Sequence, residues 1–258
     1  MTTRLELLPD VYLTAVQTSR FKTACFSLSF LRPLRQEEAG MNALLPSVLL
    51  RGSESAPSIR AIADRLDALC GASVGSLVRK KGEIQLTGLF ADGLEDRYAG
   101  EPVFSRLLEL TAELLLRPRT QGGVFVPQIV MQERQKLLDT IESTLDDKAE
   151  YCQTQLLRQM CRGEAYAVGR LGEAGPLAAV DEAGLWAHYQ KMLASSRAEL
   201  FYLGSKPAQE AAALHLPVLA QLPFDPKAAQ LCDEGSIETV ENPLMADAAR
   251  AVAGQVGL

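Results

Sequence analysis

Few side chains in this 258-residue chain could do chemistry by their type and spacing. It has two histidines, His188 and His215, 27 positions apart. They cannot form an H-x-x-E-H zinc motif in either direction, because that motif sets both rings on one face of one helix. Five cysteines (Cys25, Cys70, Cys152, Cys161 and Cys232) include no C-x-x-C pair. Thiols scattered in this way read as reduced and mostly buried, not as a disulfide framework. A nucleophilic reading would pair Cys70 or Cys161 with His188 as base. His188 itself is expected on the outer part of a helix over about 181–194, with no metal role. Asp146 and Asp147 are adjacent, so on a helix they point in different directions. They read as a helix cap or break rather than as metal ligands.

Composition narrows the classes further. Apolar residues make up 47% and charged residues 22%, the profile of a globular protein with a core. The net charge is −6, and the longest basic run is Arg79-Lys80-Lys81, which argues against a nucleic-acid surface. No window nears the roughly 18 apolar residues of a membrane span, so no membrane partner is expected. The opening MTTRLELLPD has no apolar h-region, and the expected location is cytoplasmic.

The elements that would position these residues follow from periodicity. Residues 11–18 and 23–31 read as strands; in the second, Ala24, Phe26, Leu28 and Phe30 alternate with Cys25, Ser27 and Ser29. The polar Thr18-Ser19-Arg20 turn suggests that these two strands form a hairpin. Helices are expected at 39–51, 57–70 and 103–116, and a hairpin at 73–79 and 83–90 around Lys80-Lys81-Gly82. A long helical region follows over 125–162, with a break near Asp146-Asp147. A helix capped by Asp181 and a strand at 199–204 close the unit. This order predicts an α+β fold, an antiparallel sheet with helices packed on one face. The expected domain spans 1–204, with 205–258 an irregular C-terminal extension or a linker to a second half.

Several short motifs in this order together resemble one family. They are Ser47-Val-Leu-Leu-Arg-Gly-Ser53, the helix at 57–70, Gly71-Ala72-Ser73 and its two strands, and the stretch from Gln132 to Tyr166. Over about residues 5–205 the chain resembles the N-terminal, metallohydrolase-like half of the insulinase/pitrilysin peptidases, which are inverted zincins. Asp146-Asp147-Lys148 and Met160–Tyr166 are most similar to a non-catalytic bacterial branch, usually found beside a catalytic relative. In some bacteria that branch is linked to aminopentanol modification of elongation factor P. The resemblance places the family's zinc histidines on Ala43 and Ser47 and its general base on Pro46. With Glu133 as the supporting acid, the distal ligand falls on Thr140.

Alanine offers no lone pair, neutral hydroxyls are poor zinc ligands, and proline can take no proton from water. The resemblance therefore implies no metal, no cofactor and no catalytic residue at this place, with Glu133 a solvated or salt-bridged helix residue. It implies a peptidase homologue that partners a catalytic relative, forms a homo-oligomer, or binds an extended peptide by strand addition. An active hydrolase with a non-zinc nucleophile and a purely structural subunit are the alternatives. Pro46 also predicts that its helix begins or bends there, since an interior proline costs roughly 3 kcal/mol.

Overall fold

The computed structural model of the chain describes residues 2–144 and 146–207. Three strands open it: β1 (Thr2–Leu8), β2 (Val11–Gln17) and β3 (Thr23–Pro33). Helices α1 (Gln36–Leu49) and α2 (Ile59–Ala68) lead to the hairpin β4 (Ser73–Lys81) and β5 (Ile84–Leu94). After α3 (Asp96–Ala99) and α4 (Val103–Leu116), a small hairpin, β6 (Thr120–Gln121) and β7 (Val124–Phe125), precedes α5 (Pro127–Ser143). The chain continues through α6 (Lys148–Met160), a 3-10 turn at Ala165–Ala167, α7 (Ala174–Ala178), α8 (Glu182–Ser195) and β8 (Arg197–Gly204). The expected break in the long helical region lies between α5 and α6. There Asp147 caps α6 by accepting from the Ala149 and Glu150 amides at 2.9 and 3.0 Å. Asp181 caps α8 in the same way, accepting from the Gly184 amide at 2.7 Å.

The main sheet has six strands in the order β1-β2-β8-β3-β5-β4. Every neighbouring pair is antiparallel except β2 and β8, which run parallel. The expected hairpin between 11–18 and 23–31 is therefore absent. β2 pairs instead with β1, and β8 inserts between β2 and β3. The Thr18 amide reaches the Gly204 carbonyl at 2.8 Å, so the polar turn carries the chain across the end of β8. Turn chemistry reports only local connection, whereas the register is set by burial across strands. Leu5, Leu13, Leu200, Leu28 and Leu89 stand opposite one another in a row across five strands. A slip of one residue in any of these strands would turn its leucine away from the helices.

The helices cover the face that carries this leucine row. α1 packs on β5 and β4, and is flanked by α5, α7 and α8. Leu44, Leu45 and Leu49 of α1 join Leu89, Leu114, Leu115, Phe125 and Leu185 in one buried cluster. A second cluster, built on Phe104, Leu107 and Tyr202, lies under α4. The class is thus α+β, as the element order predicted.

Of the two outcomes expected at Pro46, a helix start is not found. α1 starts at Gln36, well before Pro46, and remains one helix through it. Pro46 has no N–H, so the Asn42 carbonyl one turn earlier loses its helical partner. The Thr87 hydroxyl of β5 donates to that carbonyl at 2.6 Å, and both residues are fully buried. The sheet thus replaces the donor that proline removes. The Thr87→Val variant should lose about 1–3 kcal/mol of stability, the cost of a buried carbonyl left without a partner. In a Pro46→Ala background the same change should cost much less, because an alanine amide can take Thr87's place. Urea unfolding of the four proteins measures this coupling, and strictly additive losses would refute the substitution of donors.

Candidate functional site

α1 and α5 hold every position that the family motif marks. Ala43 is buried and Ser47, one turn on, is half-buried. Pro46 between them is buried too. On α5, Thr140 is exposed and spends its hydroxyl on the Lys136 carbonyl at 2.8 Å. This donor set does not fit zinc, since it contains no imidazole or carboxylate. Among the described residues, no group of three or more His, Cys, Asp or Glu is placed to hold a metal ion.

Glu133, expected from the resemblance as the supporting acid, is buried and tied into ion pairs. Its Oε1 accepts from Arg51 Nη1 at 2.9 Å and from Lys136 Nζ at 2.8 Å. Arg51 Nη2 also donates to Gln132 Oε1 at 2.9 Å. Arg51 lies two residues past the end of α1, so this fork fastens that end to α5. Removing one partner of a largely buried pair leaves an uncompensated charge, and the pair is structural as it stands.

His188 is where the sequence reading misplaced a residue. It was expected on the outer part of its helix, and it is only 5% exposed. It shares the buried side of α8 with Leu185 and Met192 at helical spacing. Its Nε2 lies 2.7 Å from Asn42 Oδ1, while Asn42 Nδ2 donates to Gln85 Oε1 at 2.8 Å. Gln85 Nε2 then donates to the carbonyls of Ala39 at 3.0 Å and Arg170 at 2.7 Å. Because the Asn42 amide nitrogen is committed to Gln85, its oxygen must accept, and Nε2 of His188 carries the proton. Burial lowers the His188 pKa to about 4, and the nearby Glu38 carboxylate only partly opposes that shift. A sequence signal did exist: Asn42 and His188 are polar residues on the buried stripes of two helices, where each needs a partner.

Beside this network, Arg32 and Glu38 form a buried ion pair at 2.7 Å. Ser195 and Ser196 accept from the same guanidinium at 3.0 and 3.2 Å, and Lys191 Nζ lies 3.2 Å from Glu38. Burial alone would raise the Glu38 pKa, but the hydrogen bonds from Arg32 and Lys191 outweigh it and hold the carboxyl below its ordinary value.

Among the described residues, the thiols are not placed to form a nucleophilic pair with His188. Cys70 is exposed, Cys161 is half-buried, and neither is a hydrogen-bond partner of His188. Burial, with Asp92 adding to it, raises the Cys25 thiol. Cys232 and His215 lie outside the described residues, as does nearly all of the expected extension at 205–258.

Known proteins share this architecture of a six-stranded sheet with helices packed on one face. No family model matches the chain. It is 32% identical over 191 residues to the probable inactive metalloprotease YmfF of Bacillus subtilis (strain 168), a match covering 73% of this chain and 45% of YmfF. A conserved protein from Enterococcus faecalis V583 superposes with a TM-score of 0.79 at 28% identity, over 87% of this chain and 52% of that one. A peptidase M16 inactive domain from Pseudomonas fluorescens superposes with a TM-score of 0.64 at 17% identity, over 83% of this chain and 49% of that one. The chain is an insulinase/M16-like peptidase homologue, and it spans about half the length of these relatives. Among the described residues, no helix is long and apolar enough to cross a membrane.

His188 makes stability depend on pH in a defined window. As pH falls from 6.5 towards about 4, the unfolded chain takes up a proton that the folded chain refuses. The unfolded state then binds more protons, so stability must fall across that window, by up to about 3 kcal/mol. The His188→Gln variant, which can still donate to Asn42, should lack this component. Urea midpoints of both proteins at several pH values would show it as a difference that grows on acidification. Parallel pH profiles would contradict the buried neutral imidazole.

Proposed function

We propose that this chain is a non-catalytic M16-type half that works by association. Its partner is a catalytic relative or a second homologous half, and an extended peptide lies along the free edge of β4. The carrying observation is the set Ala43, Pro46, Ser47 and Thr140, which keeps the helices of a zinc peptidase and none of its ligands or its base. The inactivity attributed to YmfF and to the Pseudomonas domain supports the same reading for this chain.

The edge supports the peptide part of the proposal. Among the described residues, β4 is the terminal strand of the sheet and is paired only with β5. Its outward backbone groups can therefore add one more strand. α1 packs against β4, which sets that edge beside the helix of the degenerate motif. The nucleophilic alternative loses its base, because His188 is buried and its Nε2 is engaged by Asn42.

Purified chain dialysed after incubation with zinc should retain far less than one metal per chain and should cleave no peptide alone. One zinc per chain surviving dialysis, or turnover that a chelator abolishes, would overturn the proposal. Adding an M16 peptidase encoded by the same organism should give a complex by light scattering or a change in that enzyme's rate.

A further inference from the structure

The side chains along the edge strand β4 are not chemically neutral. Register fixes which of them share a face. Gly75 stands opposite Phe90, Leu77 opposite Gly88, Arg79 opposite Leu86 and Lys81 opposite Ile84. Phe90 is 36% exposed while its neighbour Leu89 is fully buried, so this set looks out from the sheet, away from the helices. Arg79 and Lys81 are exposed and Leu77 is half-buried. Among the described residues, neither Arg79 nor Lys81 has a side-chain hydrogen bond or an ion pair. Other cations on this face are matched: Arg4 and Arg197 both pair with Glu199, at 2.7 and 2.8 Å. Lys80 lies between the two free cations but points to the opposite face. Its Nζ donates to the Tyr166 and Val168 carbonyls at 2.8 and 3.0 Å and sits 4.1 Å from the Tyr166 ring centre.

Towards the other end of β4 the face changes character. Leu77, and Gly75 under the Phe90 ring, make an apolar middle. Beyond them Ser73 stands opposite the half-buried Asp92. No cation is paired with Asp92 among the described residues, and burial pushes its carboxyl up. A strand added to β4 sets its alternate side chains beside these, at roughly 5 Å between Cβ atoms. In the antiparallel sense it runs from Lys81 to Ser73 and meets Lys81, Arg79, Leu77, Gly75 and Ser73 in turn. Opposite charges in such cross-strand pairs stabilise, and like charges oppose pairing.

We propose that the β4 edge selects an acidic–apolar peptide strand, with carboxylates at two alternate positions against Lys81 and Arg79 and apolar side chains at the next two against Leu77 and Phe90. A lysine or arginine at the following outward position reaches over the small Ser73 to Asp92. This deepens the peptide part of the proposed function and rests on it. Each exposed ion pair contributes little by itself, so the selection is cumulative and weakens as salt screens it.

Fluorescence anisotropy with a labelled synthetic peptide tests the selection. In the probe, threonine alternates with, in order, two glutamates, a valine, a leucine and a lysine. At low salt the full chain should bind it about tenfold more tightly than the counterpart with lysines in place of the glutamates. The Arg79→Glu, Lys81→Glu double variant should invert that preference. Its circular dichroism should be unchanged, since both side chains are exposed and unbonded. Proline in place of the threonines should abolish binding, because a proline cannot donate to the ladder. Equal affinity for both peptides, or a preference that survives the double variant, would overturn the selection and leave strand addition standing. Binding of neither peptide, or undiminished binding of the proline peptide, would overturn both.

Discussion

The helix layer hangs on one buried carbonyl. Pro46 frees the Asn42 carbonyl inside α1, and the Thr87 hydroxyl on β5 closes that gap. Thr87 stands in a row of inward residues that otherwise runs Val11, Ala198 and Phe30 across the sheet. A hydroxyl in such a row is costly unless it is bonded, and the proline supplies the acceptor it needs. The Asn42 side chain continues the same logic with Gln85 and His188. Helices α1 and α8, strand β5 and the Arg170 segment thus share one chain of hydrogen bonds. Apolar packing alone would allow α1 to rotate or slide on the sheet. Directional bonds of this kind pick a single docking, because any other leaves several buried groups unsatisfied.

The same helix carries much of the core packing of this peptidase-like frame. Ala43 and Pro46 are buried, and Leu44, Leu45, Val48 and Leu49 fill the core around them. The packing of α1 therefore never depended on metal ligands. Glu133 shows the electrostatic side. A buried acid with no cation nearby would shift to its neutral form or destabilise the fold. Here Arg51 and Lys136 supply that charge, so the acid joins α1 to α5 instead of supporting a ligand shell.

Much of this architecture was legible in the sequence, because most of it is periodic. The alternation in β3, the turn at Gly82, the cap at Asp181 and the apolar run of α4 each mark their element locally. What escaped were facts of long range. The place of β8 between β2 and β3 rests on pairs such as Leu13 with Leu200, which no local window contains. The depth of His188 depends on Asn42, 146 positions away, offering it a partner. That α1 begins ten residues before Pro46 was hidden as well, because the donor that stands in for the proline's missing amide lies on another strand. In each case the missing information was a partner, not a propensity.

The sheet's other face follows from the same register. With Leu13, Leu200, Leu28 and Leu89 turned inward, Phe201, Ser27 and Phe90 must line up on the outside. Phe90 leans over Gly75 on β4, where a Cβ would lie only 2.4 Å from its ring. The ring covers backbone that a side chain would otherwise cover, which keeps the surface next to the free edge low. Ser27 stands between Phe201 and Phe90 in this row, and both rings are exposed. The outward row of Phe201, Ser27 and Phe90 and the cover over Gly75 are consequences of one choice of register. That choice is held from the opposite face by the leucine row and by the polar bonds under α1. A surface fixed in this way is rigid before anything binds it, so association would cost little ordering of the sheet.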